Sequence, residues 1–298
     1  MTIDLHQHLW PAPFLRALRA RRRPPRLDGW TLELEAEAPF AVDPAAHDVA
    51  ARADQALAAG LELVAVAPSA ALGIDRLPEA ESRALSEAWL EGALDLPAPF
   101  RAWTAATGVP ALQEALGAGA IGLELPADAL AAPGGLERLA PLLSTLAAAR
   151  RPVLVHPGPP GDALPGRPAW WAAVVPYVAQ LHAAWWAWAD GGRERFPDLR
   201  VCFSALAGLA PLHGERHRAR GGRDRAIDPL TFVETSSYGM RAVDAVIRVL
   251  GVDVVCHGSD RPYAAPLPLG LDPSARRVIA TTNPGRLLGA PLLKEVLS

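Results

Sequence analysis

The stretch Asp4-Leu5-His6-Gln7-His8 is the starting point for predicting the fold of this chain. It places His6 at the end of the first predicted strand, Thr2–His6, and His8 two residues further on. Side chains two residues apart on a strand share a face, so both imidazoles can converge on one metal ion. A pair of this kind also arises by chance. Its meaning therefore depends on the residues that follow along the chain.

Short apolar, β-branched runs recur after this stretch, and Ala/Leu-rich segments with apolar residues three and four apart separate them. The predicted strands are Thr2–His6, Leu61–Ala67, Pro99–Thr104, Ala120–Leu125, Pro152–His156, Leu199–Ser204, Thr231–Ser236 and Asp253–His257. Alternation of strand and helix predicts a parallel sheet, and eight such units predict one α/β domain over residues 1–298, a (β/α)8 TIM barrel. Residues 11–43 and 157–198 are predicted insertions after the first and fifth strands, on the side where barrels build active sites.

The composition argues against several classes of function. The formal net charge is -3 and half of the residues are apolar, so no basic face for nucleic acid is expected. No run approaches the roughly 18 to 20 apolar residues of a membrane span, and the N-terminus does not read as a secretory signal. We expect a cytoplasmic protein in which Cys202 and Cys256 are packed thiols and not a disulfide.

Two further residues can complete the histidine pair. His156 ends the fifth predicted strand in His156-Pro157-Gly158, and Asp260 follows the eighth in Gly258-Ser259-Asp260-Arg261-Pro262. Three imidazoles and one carboxylate at the carboxyl ends of strands form a zinc-type ligand set with room for water. Each residue alone is more often found in a turn than in a metal site. Their order on strands 1, 5 and 8 favours the metal site.

These motifs, together with Asn283-Pro284-Gly285-Arg286-Leu287-Leu288-Gly289, resemble the amidohydrolase superfamily. The chain is most similar to its amidohydrolase-2 branch, which includes the aminocarboxymuconate semialdehyde decarboxylase-like proteins. The resemblance implies that the two histidines, the strand-5 histidine and the strand-8 aspartate bind one divalent metal ion. Zinc is the first expectation, with Mn²⁺ or Fe²⁺ as alternatives.

The sequence departs from the family pattern at the end of the sixth strand. Family members usually carry a histidine there, which acts on the substrate or on the metal-bound water, and here the position is Ala205. His213 lies eight residues further on and is expected on a helix surface, with the alternative that it reaches back to the site if the strand end is bulged. The only lysine is Lys294, so a carboxylated lysine cannot bridge two metals. A single metal is therefore favoured, with Glu124 at the fourth strand as a possible extra ligand, a buried ion-pair partner or an outward-facing residue.

The predicted function is metal-dependent hydrolysis of a carbonyl-type C–N or C–O bond in a small molecule. The metal would lower the pKa of bound water, and Asp260 would accept the proton of the attacking water. The alternatives are a metal-dependent decarboxylase on the same scaffold and a barrel that has lost catalysis and only binds a metal or ligand. Candidate substrate contacts are Trp10, Ser204, Tyr238 and Arg261. A homodimer is common for such barrels and is the expected assembly.

Overall fold

Two sheets organise the computed structural model, which describes residues 1–161, 166–223 and 226–297. In chain order the strands are β1 Ile3–His8, β2 Arg26–Asp28, β3 Thr31–Glu33, β4 Phe40–Ala41, β5 Leu63–Ala67, β6 Phe100–Thr104, β7 Gly122–Pro126, β8 Val153–His156, β9 Val201–Phe203, β10 Thr231–Glu234 and β11 Val255–Cys256. β1 and β5 to β11 form one eight-stranded parallel sheet in chain order, and β2 to β4 form a small antiparallel sheet. All eight predicted strands are present with shifted ends, and the last is shorter than predicted.

The parallel sheet closes into a barrel between β1 and the segment that follows β11. The backbone N–H of Leu5 donates to the carbonyl of His257 at 3.0 Å, and that of His8 donates to the carbonyl of Arg261 at 2.6 Å. Helices lie between the strands, so the predicted (β/α)8 barrel is confirmed. Closure also brings the first strand, β1, next to the segment that follows the last strand, β11. Asp260 lies in that segment and is therefore placed beside β1.

Helices cover the outer face of the barrel and close its amino-terminal end. Their bounds are α1 Ala12–Ala20, α2 Val49–Ala58, α3 Glu79–Leu94, α4 Val109–Gly117, α5 Ala127–Ala131, α6 Gly135–Ala149, α7 Trp171–Val174, α8 Pro176–Ala187, α9 Arg193–Arg195, α10 Gly214–Ala219, α11 Met240–Leu250, α12 Pro273–Arg277, α13 Asn283–Leu288 and α14 Ala290–Leu297. None of the helices in the described part of the chain is long and apolar enough to cross a bilayer.

Strand alternation decides which side chains face the barrel interior. In β8, Val153 and Val155 pack with the outer helices, whereas Leu154 belongs to the buried cluster inside the barrel. By the same period of two, His156 also points inward. Cys202 and Cys256 are buried free thiols in the interior cluster, as predicted.

A bulge in β1 is decisive for the histidine pair. Asp4 pairs with Val64 of β5, but Gln7 pairs with Val66, so β1 carries one extra residue between these positions. One extra residue reverses the alternation, and side chains beyond it change face. Leu5 can therefore fill the barrel interior while His6, the next residue, also points into the barrel at its carboxyl end.

Both predicted insertions lie above the carboxyl ends of the strands. The first contains α1 and the antiparallel sheet β2 to β4, and the sequence did not predict this sheet. The second contains α7, α8 and α9, and its residues 162–165 lie outside the described part of the chain. Together they wall the cavity that opens onto the strand ends.

Candidate metal centre

Four side chains converge at the carboxyl end of the barrel. The ligand-type atoms of His6, His8, His156 and Asp260 all lie within 4.8 Å of one another. His6 Nε2 is 3.1 Å from His8 Nε2, and Asp260 Oδ1 is 3.1 Å from His8 Nε2 and 3.7 Å from His6 Nε2. The structure thus brings together the four residues predicted from the sequence, and they can hold one metal ion.

The outer nitrogen of each imidazole is already engaged. His6 Nδ1 lies 3.1 Å from Glu234 Oε1, His8 Nδ1 lies 3.1 Å from the Ala67 carbonyl, and His156 Nδ1 lies 2.9 Å from the Pro157 carbonyl. Each acceptor requires a hydrogen on Nδ1, so the Nε2 atoms present lone pairs toward the same point. Carbonyl or carboxylate partners of this kind orient metal-binding histidines. The donor set therefore fits a divalent cation.

The electrostatics of the cluster call for a positive charge. Burial lowers the pKa of His6, but its hydrogen bond to Glu234 and the charges of Asp260, Glu234 and Glu124 raise that pKa to about 9. Burial and the neighbouring imidazoles hold the pKa of His156 well below its usual value. The carboxylates around His6 therefore favour a positive charge at this point of the barrel.

Asp260 reaches the cluster from a strained turn. Its φ is 57°, in the left-handed region that aspartate tolerates better than most residues. Its backbone N–H donates to the His6 carbonyl at 2.8 Å, and this bond fixes the turn against β1. Burial raises the pKa of Asp260, but the hydrogen bond to His8 and the charges of the histidines bring it below its usual value. Asp260 is therefore held as a carboxylate.

Glu234 at the end of β10 is a central residue that the sequence analysis missed. Besides holding His6, its carboxylate accepts from the backbone N–H of Ser236 at 2.6 Å and of Ala205 at 2.7 Å. The side chain is fully buried. The sequence did contain a signal for Glu234. Residues two apart on a strand face the same side, so Glu234 points to the barrel interior as Phe232 does.

A second network, also missed, braces the backbone of the histidine pair. Arg52 of α2 is buried and donates to the His8 carbonyl at 3.1 Å and to the Gln7 side chain. The amide of Gln7 in turn donates to Asp4 Oδ2 at 2.7 Å. Asp4 also accepts from the backbone N–H of Ser259 at 3.0 Å, so it joins β1 to the turn that carries Asp260.

Glu124 lies behind His156 and does not join the converging atoms. Its Oε1 accepts from the backbone N–H of Ala70 at 3.1 Å and stands 3.8 Å from His156 Nδ1, the nitrogen that faces away from the cluster. Its Oε2 has no hydrogen-bond partner among the described residues, and burial raises its pKa. The outward-facing position left open by the sequence does not match this burial, and a role of Glu124 as an extra ligand stays a prediction.

A cavity of about 640 Å³ opens above the four residues. Ser204 and Tyr238, predicted substrate contacts, line it, and Ser204 Oγ has no hydrogen-bond partner among the described residues. Tyr263, which the sequence analysis did not single out, also lines it, with its ring centroid 5.4 Å from that of His8. The volume suits a small organic molecule.

The other two predicted contacts lie away from the cavity wall. Trp10 is fully buried, stacks on His47 with ring centroids 4.5 Å apart, and donates from Nε1 to the Pro68 carbonyl at 3.2 Å. Arg261 pairs with Gln7 through its backbone, and its side chain is not part of the cavity lining. Neither side chain is among those that line the cavity.

The position of the expected strand-6 histidine is occupied by the methyl group of Ala205, which lines the cavity. Ala205 begins a run of residues with φ between 45° and 62° that extends through Leu209. His213 is exposed beyond this run and packs against His182, with ring centroids 4.8 Å apart. Among the described residues, the cavity lining contains no imidazole besides the three of the cluster.

Comparison with known proteins places the fold. No family model matches the chain, and the curated proteins contain no match. Solved structures do match. An amidohydrolase II protein is 17% identical, with 97% of this chain and 99% of that chain covered and a TM-score of 0.71. The 4-oxalomesaconate hydratase of Rhodopseudomonas palustris is 16% identical, with coverages of 100% and 98% and a TM-score of 0.70.

A third similar structure holds a metal ion. It is the 5-carboxyvanillate decarboxylase of Novosphingobium aromaticivorans, solved with manganese, which is 14% identical over 97% of this chain and 96% of that chain, with a TM-score of 0.68. Further similar structures are also decarboxylases. The chain shares the fold of these enzymes. The resemblance drawn from the sequence motifs is thus confirmed at the level of the fold.

Proposed function

We propose that this chain is a metal-dependent decarboxylase of a small, largely apolar carboxylic acid. The observation that carries the proposal is the convergence of three imidazoles and one carboxylate on the cavity of about 640 Å³. Decarboxylases recur among the proteins that share the fold, which supports this reaction class over the hydrolysis first expected. Fold alone does not transfer chemistry, so the choice of reaction depends on direct assay.

His6, His8, His156 and Asp260 would hold one divalent ion in this proposal. Bound there, the ion would anchor the substrate carboxylate and neutralise the charge that develops as the C–C bond breaks. Zinc is expected from the imidazole-rich donor set. Manganese is the second candidate, because it is the metal of the similar decarboxylase.

The reaction replaces the carboxylate by a proton, with release of CO₂. Asp260 lines the cavity and its side chain is 21% exposed, so it can relay this proton to the substrate carbon after taking it up from solvent water. Ser204 also lines the cavity, and its hydroxyl, which has no hydrogen-bond partner among the described residues, can donate to a substrate oxygen, whereas the Ser236 hydroxyl donates to Glu234. Glu234 keeps His6 oriented while the substrate binds.

Hydrolysis remains the second candidate because of the ionisation of Asp260. The neighbouring imidazoles hold its pKa below the usual value, so it is a carboxylate at neutral pH. That form is the one needed to take a proton from an attacking water. A hydratase among the proteins of the same fold also performs chemistry that involves water.

The test combines metal analysis with two assays. We expect about one divalent ion per chain in the purified protein, lost when His6 and His8 are both changed to alanine and kept in His213→Ala, an exposed control outside the cavity. Full metal retention in the double variant would contradict the site.

The assays separate the reactions on the metal-loaded protein. CO₂ release from a panel of aromatic and unsaturated acids supports decarboxylation, whereas proton release from amides or lactones without CO₂ supports hydrolysis. Turnover in neither panel, with metal present, favours a binding role without catalysis.

A further inference from the structure

A polar pair joins the two insertions at the cavity wall. Tyr177 of α8 donates its hydroxyl hydrogen to Oε1 of Glu37 at 2.7 Å. Glu37 lies between β3 and β4 in the first insertion, and Tyr177 lies in the second. Both residues line the cavity, and neither belongs to the metal cluster. The pair therefore forms a polar site on the cavity wall that is separate from the metal cluster.

The carboxylate of Glu37 has unused capacity to accept hydrogen bonds. An ionised carboxylate offers about four acceptor positions. Within the described residues, the Tyr177 hydroxyl is its only donor and no cation pairs with it. Burial raises the pKa of Glu37, and the hydrogen bond from Tyr177 opposes that change. A carboxylate that is partly removed from water and incompletely paired gains free energy from a further donor.

The surroundings of the pair are apolar. The cavity walls contributed by the insertions include Leu32, Leu34, Phe40, Val174 and Val178. An apolar body fits between these side chains, while a partly buried acceptor among them disfavours a ligand that cannot donate to it. The cavity thus presents a metal-binding end and, separately, one oriented acceptor.

We infer that Glu37, oriented by Tyr177, selects substrates that carry a hydroxyl or amino group in addition to the carboxylate bound at the metal. The inference rests on the proposed function and names the substrate class more closely: apolar acids with a hydrogen-bond donor remote from the reacting carboxylate. Glu37 is the residue that determines specificity, and Tyr177 is a positioning residue.

The test measures binding, by titration calorimetry, of matched acids to the manganese-loaded protein. The pairs are para-hydroxybenzoate with para-methoxybenzoate, the corresponding meta pair, para-aminobenzoate with para-dimethylaminobenzoate, and the longer para′-hydroxybiphenyl and para′-methoxybiphenyl carboxylates. In at least one pair we expect the donor to bind about tenfold tighter, the size expected of a hydrogen bond to a charged group. Comparison within pairs cancels the metal–carboxylate contribution.

Variants assign the preference to Glu37. In Glu37→Ala the preference should fall to about parity while the methoxy acids bind as before, which also shows that the protein is folded. Glu35→Ala changes an exposed carboxylate of the same segment and should leave the preference intact. Tyr177→Phe should keep a preference, because the Glu37 acceptor remains.

Two results would overturn the inference. Binding of the acids without any donor preference, or a preference that survives in Glu37→Ala, contradicts the role of Glu37 and leaves the proposed function standing. Failure of every acid to bind the metal-loaded protein contradicts the proposed function, and the inference with it.

Discussion

Glu234 shows how much of the site depends on a single residue that is not among those lining the cavity. Its carboxylate holds Nδ1 of His6 and also the backbone N–H groups of Ala205 and Ser236. His6, a candidate metal ligand on β1, is thereby tied to the loops that follow β9 and β10. The charge of Glu234 also contributes to the raised pKa of His6, so it makes the imidazole a better donor to a cation.

Glu234→Gln should weaken metal binding by roughly 10- to 100-fold, the usual effect of removing such a partner. The amide keeps the size of the side chain but loses the negative charge. Affinity is measured by competition with a chromophoric chelator, with Glu114→Gln on the exposed face of α4 as the control. Unchanged affinity in Glu234→Gln, with a folded protein by circular dichroism, would contradict the assigned role.

At the scale of elements, the run Ala205–Leu209 is the most unusual conformation near the site. Its residues have φ between 45° and 62°, a left-handed turn that costs roughly 1–2 kcal/mol for each residue with a side chain. Leu206 and Ala207 are fully buried and pack with Leu181 and Ala184 of α8, which offsets this cost. The turn presents Ala205 to the cavity.

Gly208→Ala tests how closely this turn packs on α8. A Cβ at Gly208 would lie 2.5 Å from the Val178 carbonyl oxygen, whereas a Cβ at Gly60, which has a similar φ of 71°, meets nothing within 4 Å. Gly60→Ala should therefore lower the free energy of unfolding by about 1 kcal/mol, and Gly208→Ala by at least about 1 kcal/mol more. Urea denaturation measures both, and equal losses would contradict the close packing.

At the scale of the whole molecule, barrel closure concentrates charge at one point. The strands β1, β8 and β10 and the turn after β11 each deliver an ionisable side chain to the same end of the barrel: His6, His156, Glu234 and Asp260. Without a metal ion, a proton on His6 partly neutralises the negative charge of the nearby carboxylates, because the pKa of His6 is raised to about 9. Metal and proton therefore compete for His6.

This competition predicts a pH dependence. The pKa of His6 rises from 6.5 to about 9 on folding. Protonation of His6 therefore stabilises the metal-free protein by an amount on the order of 3 kcal/mol, and this contribution is fully present below pH 6.5. It is lost as the pH rises through about 9. Metal affinity should change in the opposite sense, rising roughly tenfold per pH unit between these values because binding displaces one proton. Chelator competition across this range measures it, and a flat profile would exclude His6 as a titrating ligand.

The sequence by itself determined the barrel and the membership of the cluster. Buried β-branched runs alternating with amphipathic helices predict a parallel closed sheet, and carboxyl ends of parallel strands meet at one end, which predicts that His6, His8, His156 and Asp260 lie at the same end of the barrel. Tertiary structure alone decided the rest. A one-residue bulge turned His6 into the barrel, and closure made Glu234 a partner of His6 across 228 residues of sequence. The small sheet and α8, far apart in the chain, brought Glu37 to Tyr177. Such contacts depend on packing between distant segments, which local periodicity does not encode.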